Sequence, residues 1–258
     1  ASGGAEFGLI EGDPLPPNKD TIYKAQRRKV TPFAFTPEVA AVFDDMLARS
    51  IPGYGDLIIR QAQLCRRHLQ PHSCLYDLGC SHGNLGMRLL DDPPAAPFTI
   101  RGVDNAPAML ARYRSRLEAH PEKKPVDLIC ADILDVKIER ASVVAINFTL
   151  QFLPREARDR LLKQVYEGLL PGGALLFSEK IVHPDGELAE LQIDFYHRFK
   201  AENGYSQLEI SQKREALENV LVPDTVAAHE ERLTRSGFRH WDIWQKWFNF
   251  TSWIAIKK

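Results

Sequence analysis

Asp77-Leu78-Gly79-Cys80-Ser81-His82-Gly83 closes a short apolar run, and its residue types suit ligand holding more than acid–base turnover. A glycine just past a strand permits a tight turn and close approach of backbone to a ligand, while an acid at the strand's end can meet a charged amine or order the loop. The segment lacks G-x-G-x-x-G, so a nucleoside without phosphates fits it better than a dinucleotide. Asp104-Asn105 follows Gly79 by 25 residues, near the interval at which such loops are joined by a ribose-binding acid. A carboxylate there accepts from both ribose hydroxyls, at about 1.5–3 kcal/mol per charge-assisted hydrogen bond, and repels a 2′-phosphate. It would equally serve as an N-cap for the helix opened by Pro107. Asp132-Ile133 offers a carboxylate and an apolar neighbour for a purine, and Asn147 brings an amide to the end of a further apolar run. Taken singly these are ordinary strand-to-helix turns; gathered at one sheet edge they make a nucleoside pocket.

The elements that must gather them are legible as alternating periods. Apolar runs at 74–78, 98–103, 126–130, 143–147 and 175–178 read as buried strands, the last after a Pro171-Gly172-Gly173 turn. Helical spacing covers 37–50 behind a Thr36 cap, 57–69, 85–90, 108–119 and 155–169. Strands alternating with helices imply an α/β fold with a parallel sheet covered on both faces. Residues 185–235 break the alternation as a helical insertion, with Leu188, Leu191, Phe195 and Phe199 along one face as either a dimer seam or packing against the sheet. Two β-rich runs, 238–244 and 247–256, then form an antiparallel hairpin at the sheet edge. Residues 1–34 are expected to be a flexible arm, in part a tag remnant and not a signal peptide, and 35–258 a single ligand-binding domain.

Composition narrows the field further. The chain has 258 residues, 44% hydrophobic and 26% charged, which is globular and long enough for a sizeable core. Its 33 basic and 34 acidic residues leave a net charge of −1, with no long-range pull on a polyanion, so direct nucleic-acid binding is not expected. No apolar run approaches the ~20 residues of a spanning helix, so no membrane partner is expected either. Cys65, Cys74, Cys80 and Cys130 form no CxxC pair; they read as reduced cytoplasmic thiols, and no metal site is expected.

Together the Asp-x-Gly-x-Ser, Asp-Asn and Asp-Ile motifs and the Asn-Phe-Thr-Leu-Gln-Phe-Leu run at 147–153 resemble the S-adenosylmethionine-dependent methyltransferase superfamily. More narrowly, the chain resembles the carboxy-S-adenosyl-L-methionine synthases of bacterial tRNA wobble-uridine modification. Arg49-Ser-Ile-Pro-Gly-Tyr54, Phe199-Lys-Ala-Glu-Asn-Gly-Tyr205 and Glu209-Ile-Ser-Gln-Lys-Arg214 carry that narrower likeness, which runs from about Phe35 to Ile256. It implies a Rossmann-like class I methyltransferase fold with a mostly parallel seven-stranded sheet, and S-adenosyl-L-methionine or its carboxylated form as ligand. By the same resemblance the ligand is held by Tyr54, Gly79, Cys80, Ser81, Asp104, Asn105, Asp132, Ile133 and Asn147. Arg214 is the residue expected to read the extra carboxylate, since its planar fork pairs bidentately with one, and Tyr54 could donate its hydroxyl to the same group.

The resemblance also implies prephenate as carboxyl donor, a homodimer in which the 185–235 block is lid or seam, and a cytoplasmic product destined for a tRNA-modifying enzyme. Two other readings share the fold: an ordinary small-molecule methyltransferase, and a non-catalytic partner of such an enzyme docking through Arg27-Arg28-Lys29, Arg66-Arg67 and Lys123-Lys124. The alternative for Arg214 is a surface pair with Glu209 or Glu218, and for Tyr54 a core tyrosine with a satisfied hydroxyl. The stretch His82-Gly83-Asn84-Leu85-Gly86 departs from the subfamily pattern, and His82 is expected to cap or solvate the loop.

Overall fold

A computed structural model describes residues 19–121 and 126–258. Thr36 accepts from the Val39 amide and Pro37 takes the first helical position, so the chain enters α1 (Pro37–Ala41) as its sequence requires. The helix expected over 37–50 is instead two: Val42 leaves helical geometry at φ −115°, and α2 (Phe43–Ser50) follows as a separate helix. That break lets α1 pack on a later helix while α2 turns Asp44 toward His82. Gly53, in the left-handed region, starts α3 (Tyr54–His68).

The alternating part follows as β1 (Ser73–Leu78), α4 (Asn84–Asp91), β2 (Phe98–Asp104), α5 (Pro107–Ala119), β3 (Val126–Cys130), β4 (Ala141–Asn147), α6 (Arg155–Gly168) and β5 (Leu169–Lys180). After it come α7 (Gly186–Glu202), α8 (Gln207–Leu217), α9 (Val226–Ser236), β6 (His240–Trp247) and β7 (Phe250–Ile256). The sheet order is β3-β2-β1-β4-β5-β7-β6. Strands β1 to β5 pair in parallel, and β7 lies antiparallel between β5 and β6. The order reverses between β1 and β4, and it is outside the carboxyl ends of strands at such a switch point that open α/β sheets hold ligands.

β4 shows why the sheet is sandwiched. Val144 and Ile146 join Leu161, Leu162 and Val165 of α6 on one face, while Val143 and Ala145 join Ile58 and Leu89 on the other. A strand buried on both faces is mostly apolar, and in this one the buried Ser142 is satisfied by the Ser73 hydroxyl and the Gln70 amide while Asn147 stands at its end. The Pro171-Gly172-Gly173 segment, expected as a turn before the fifth strand, lies inside β5 as a bulge. Ala141 pairs with Leu169 but Val143 with Ala174, and the Gly172 amide is taken up by the Lys257 carbonyl.

Residues 19–34 also depart from the expected free arm. Asp20 is buried, accepts from the Tyr205 hydroxyl at 2.6 Å, and its carbonyl receives Arg49. Gln212 of α8 binds the carbonyls of Tyr23 and Ala25, and the Phe33 amide donates to Ala216. The chain is thus strapped across α8 well before residue 35. Residues 1–18 and the Lys123-Lys124 pair lie outside the described residues.

Candidate functional site

A cavity of about 700 Å³ opens at the carboxyl ends of β1, β2, β4 and β5, beneath α7 and α8. All ten expected site residues line it, drawn from six elements and their loops. Gly79 turns the chain at φ +77°, and a Cβ there would stand 2.2 Å from the Thr149 hydroxyl oxygen, so only glycine lets the loops after β1 and β4 meet. The Ser81 amide donates to Asp104 Oδ2 and the Ala106 amide to Oδ1, each at 2.8 Å. Asp104 therefore fastens the glycine loop to the end of β2 while bordering the cavity, so its alternative of turn-capping and its ligand role are compatible. The Cys80 thiol packs with Leu110 and Tyr113, and burial pushes its pKa up. Asp132 takes the Leu134 amide in a tight Asx turn beside buried Ile133.

Asn147 is paired amide to amide with Gln61 of α3, at 2.7 and 2.9 Å. Gln61 was not anticipated; its signal is a polar side chain on the stripe Leu57, Ile58, Ala62, Cys65 that otherwise buries apolar groups. A second unanticipated brace is Glu179 at the end of β5, whose carboxylate accepts the amides of Thr149, Leu150 and Gln151. Burial pushes its pKa up to about 8 against those three donors, which favour the anion. Asp77 makes no side-chain hydrogen bond among the described residues, and burial together with Asp104 raises its pKa to about 7.

His82 does not solvate its loop. It is 1% exposed, with Nε2 2.5 Å from Asp44 Oδ1 and Nδ1 3.3 Å from Ser81 Oγ. Burial lowers its pKa, with Arg116 and Arg112 opposing protonation and Asp44 favouring it, so the neutral ring donating from Nε2 fits the contacts. The network continues: Arg112 donates to Asp44, Arg116 to Asn84 Oδ1, and Asn84 Nδ2 to the Tyr54 hydroxyl at 3.2 Å. The stretch that departs from the subfamily pattern thereby holds Tyr54 at the cavity, and burial raises the phenol's pKa.

Arg214 lines the cavity from α8, exposed in the single chain, and pairs with neither Glu209 nor Glu218. Glu209 is committed elsewhere, closing a capping box with Ser206. Among the described residues Arg214 has no ion pair, while its charge bears on Lys180 and His197. Lys180, Lys200 and Lys213 complete this cationic side. Their sequence signal is weak because a lysine at a strand end or on a helix is usually solvated. The telling signal was spacing, since Lys200 sits one turn beyond buried Tyr196.

A sheet of this order with acids at the tips of β1 and β2 and a glycine loop between them defines a class I S-adenosylmethionine-dependent methyltransferase fold, and the comparisons agree. The family described as "Methyltransferase domain" matches residues 75–173. Magnesium protoporphyrin IX methyltransferase from Synechocystis, solved with bound SAH, superposes with a TM-score of 0.57 at 12% identity, covering 83% of this chain and 87% of that one. The carboxy-S-adenosyl-L-methionine synthase of Desulforapulum autotrophicum is 48% identical over 93% of this chain and 97% of its own. That of Yersinia enterocolitica is 46% identical over 95% and 92%. The chain belongs to the carboxy-S-adenosyl-L-methionine synthases.

Proposed function

We propose that this cavity converts S-adenosyl-L-methionine and prephenate to carboxy-S-adenosyl-L-methionine and phenylpyruvate. The observation that carries the reading is a guanidinium, Arg214, without an ion pair among the described residues, in the same cavity as the buried Asp77 and the half-buried Asp104. A methyl donor alone calls for the carboxylates; a donor that has gained a carboxyl group calls for a cation as well. Asp104, with both oxygens oriented by backbone amides, retains lone pairs for the ribose hydroxyls. Asp132 and Ile133 take the adenine, and Gly79, Cys80 and Ser81 border the adenosyl group with their backbone. Asp77 faces the amine and the sulfonium as an anion. Asn105 and Asn147 complete the rim. Arg214 grips the new carboxylate, with the Tyr54 hydroxyl as second donor.

S-adenosylmethionine, when bound, supplies a sulfonium whose positive charge makes its methyl protons removable. Prephenate loses its ring carboxyl group and its hydroxide as it becomes aromatic; the carboxyl group joins the methyl carbon, and the hydroxide leaves as water with the methyl proton. The protein's part is to position two charged reactants and to exclude bulk water. No side chain needs to act as the base, in keeping with a His82 ring already tied to Asp44.

The product would serve wobble-uridine modification in the cytoplasm, where the four free cysteines stay reduced. A homodimer through α7 is part of this reading. Leu188 and Leu191 are exposed there, whereas Phe195 and Phe199 already pack on Phe248 and Trp247 at the β6–β7 turn. The test is to incubate protein, S-adenosylmethionine and prephenate and to weigh the nucleoside products. A mass gain of one carboxyl group is expected. No gain with prephenate, together with methyl transfer to another acceptor, would make the chain an ordinary methyltransferase.

A further inference from the structure

Arg214 accounts for one anionic group, yet the wall formed by the end of β5, α7 and α8 carries more positive charge than one carboxylate requires. Lys200 is 3% exposed, and its ammonium lies 4.3 Å from the centre of the Tyr196 ring. The Lys180 ammonium lies 4.7 Å from the centre of the same ring. Neither makes an ion pair or side-chain hydrogen bond among the described residues, and both border the cavity. Lys213 is the contrasting case on the same wall, held by Ser50 at 3.0 Å and Asp20 at 3.7 Å. Bringing two ammonium groups together in a buried place without a carboxylate is costly, and a shared aromatic face offsets only part of that cost. Burial lowers the pKa of both; Lys213 and Lys180 add to the effect at Lys200, and Arg214 at Lys180. A fold that accepts this arrangement is short of an anion at that wall. Ile193, Leu217 and Phe250 border the same cavity, so the missing anion can carry an apolar frame.

We propose that Lys180 and Lys200, set against Tyr196, receive the carboxylates of the second substrate, a dianion with one carboxylate on its carbon ring and one on its side chain, leaving Arg214 for the carboxylate gained by the first. The inference rests on the two-substrate reading above and deepens it. The same lysines could instead serve the amino-acid carboxylate of the adenosyl substrate, and the two sources are separable by binding.

The measurement is calorimetric titration of prephenate into protein saturated with S-adenosylhomocysteine, with a separate titration of S-adenosylhomocysteine itself. Lys180→Met and Lys200→Met should each raise the prephenate Kd by about tenfold or more, as loss of a charge-assisted contact does, and shift the S-adenosylhomocysteine Kd less than about twofold. Lys200→Arg, which keeps the charge, should retain most of the prephenate affinity. Removing a buried charge should not lower the melting temperature, so folding is checked on the same samples. An equal loss for both ligands, a prephenate Kd indifferent to the methionines, or no prephenate binding by the unaltered protein would each overturn the assignment. Lysine-dependent binding without carboxylated product would sink the proposed reaction and leave this site standing; product formation unaffected by the methionines would do the reverse.

Discussion

At the strand tips, the polar groups that border the cavity are mostly bonded to the fold itself: Asp104 to two amides, Glu179 to three, Asn147 to Gln61. At the end of β5 and on α7 and α8, Lys180, Lys200 and Arg214 face the same space, with no ion pair to a carboxylate among the described residues. The first region is pre-organised, its geometry set before any ligand arrives. The second holds charge in reserve and is completed only by an anion. A site divided in this way can keep one reactant in a fixed frame and gain its selectivity between ligands from the other wall.

The largest expected effect tests that division at its most exposed cation. Arg214→Leu should weaken binding of the carboxylated nucleoside by about 2–3 kcal/mol, the worth of a charge-assisted pair, and that of plain S-adenosylmethionine far less. Arg214→Lys should remain poor because the fork is gone. Equal losses for the two ligands by calorimetry would erase the contrast between the walls. Gly79→Ala attacks the other region. A Cβ at φ +77° that meets Thr149 at 2.2 Å should cost about 1–3 kcal/mol in strain, read as a lower unfolding midpoint with loss of S-adenosylmethionine binding.

Asp77 sharpens the comparison by pH. Its pKa is raised to about 7 by burial and by Asp104, so the folded chain binds a proton there that the unfolded chain has released. That term stabilises the fold at low pH and is lost as pH rises through about 7. A cationic ligand prefers the carboxylate, so S-adenosylmethionine affinity should fall as pH drops below 7, by up to about tenfold per unit, and Asp77→Asn should flatten the profile. A profile unchanged by that substitution would remove Asp77 from the site.

Lys180 behaves with the opposite sign. With its pKa lowered to about 8 by burial and by Arg214, the unfolded chain binds more protons above that pH. Stability should therefore gain a small term from about pH 8 upward, and binding of a dianion should take up protons there. Buffers of different ionisation heat would show the uptake.

What the residues disclose before folding is uneven for a physical reason. The strand tips were legible because an apolar run followed by glycine or an acid is a local pattern, and β3, expected at 126–130, is found at Val126–Cys130. The break at Val42, the bulge at Pro171-Gly172-Gly173 and the strap across α8 depend on partners far along the chain. His82 looked like a loop histidine because Asp44, its partner, lies 38 residues away. The lysine wall was hidden for the same reason, since α7 and the end of β5 converge only in the folded chain.

The two residues before Arg214 are both clamped, Gln212 to the backbone of Tyr23 and Ala25, Lys213 to Ser50 and Asp20. The guanidinium therefore hangs from a fixed post, and its reach is set by the rotamers of one side chain and not by travel of the helix. Cutting the tether at Asp20 would loosen the post and blur discrimination between the two nucleosides without touching either one.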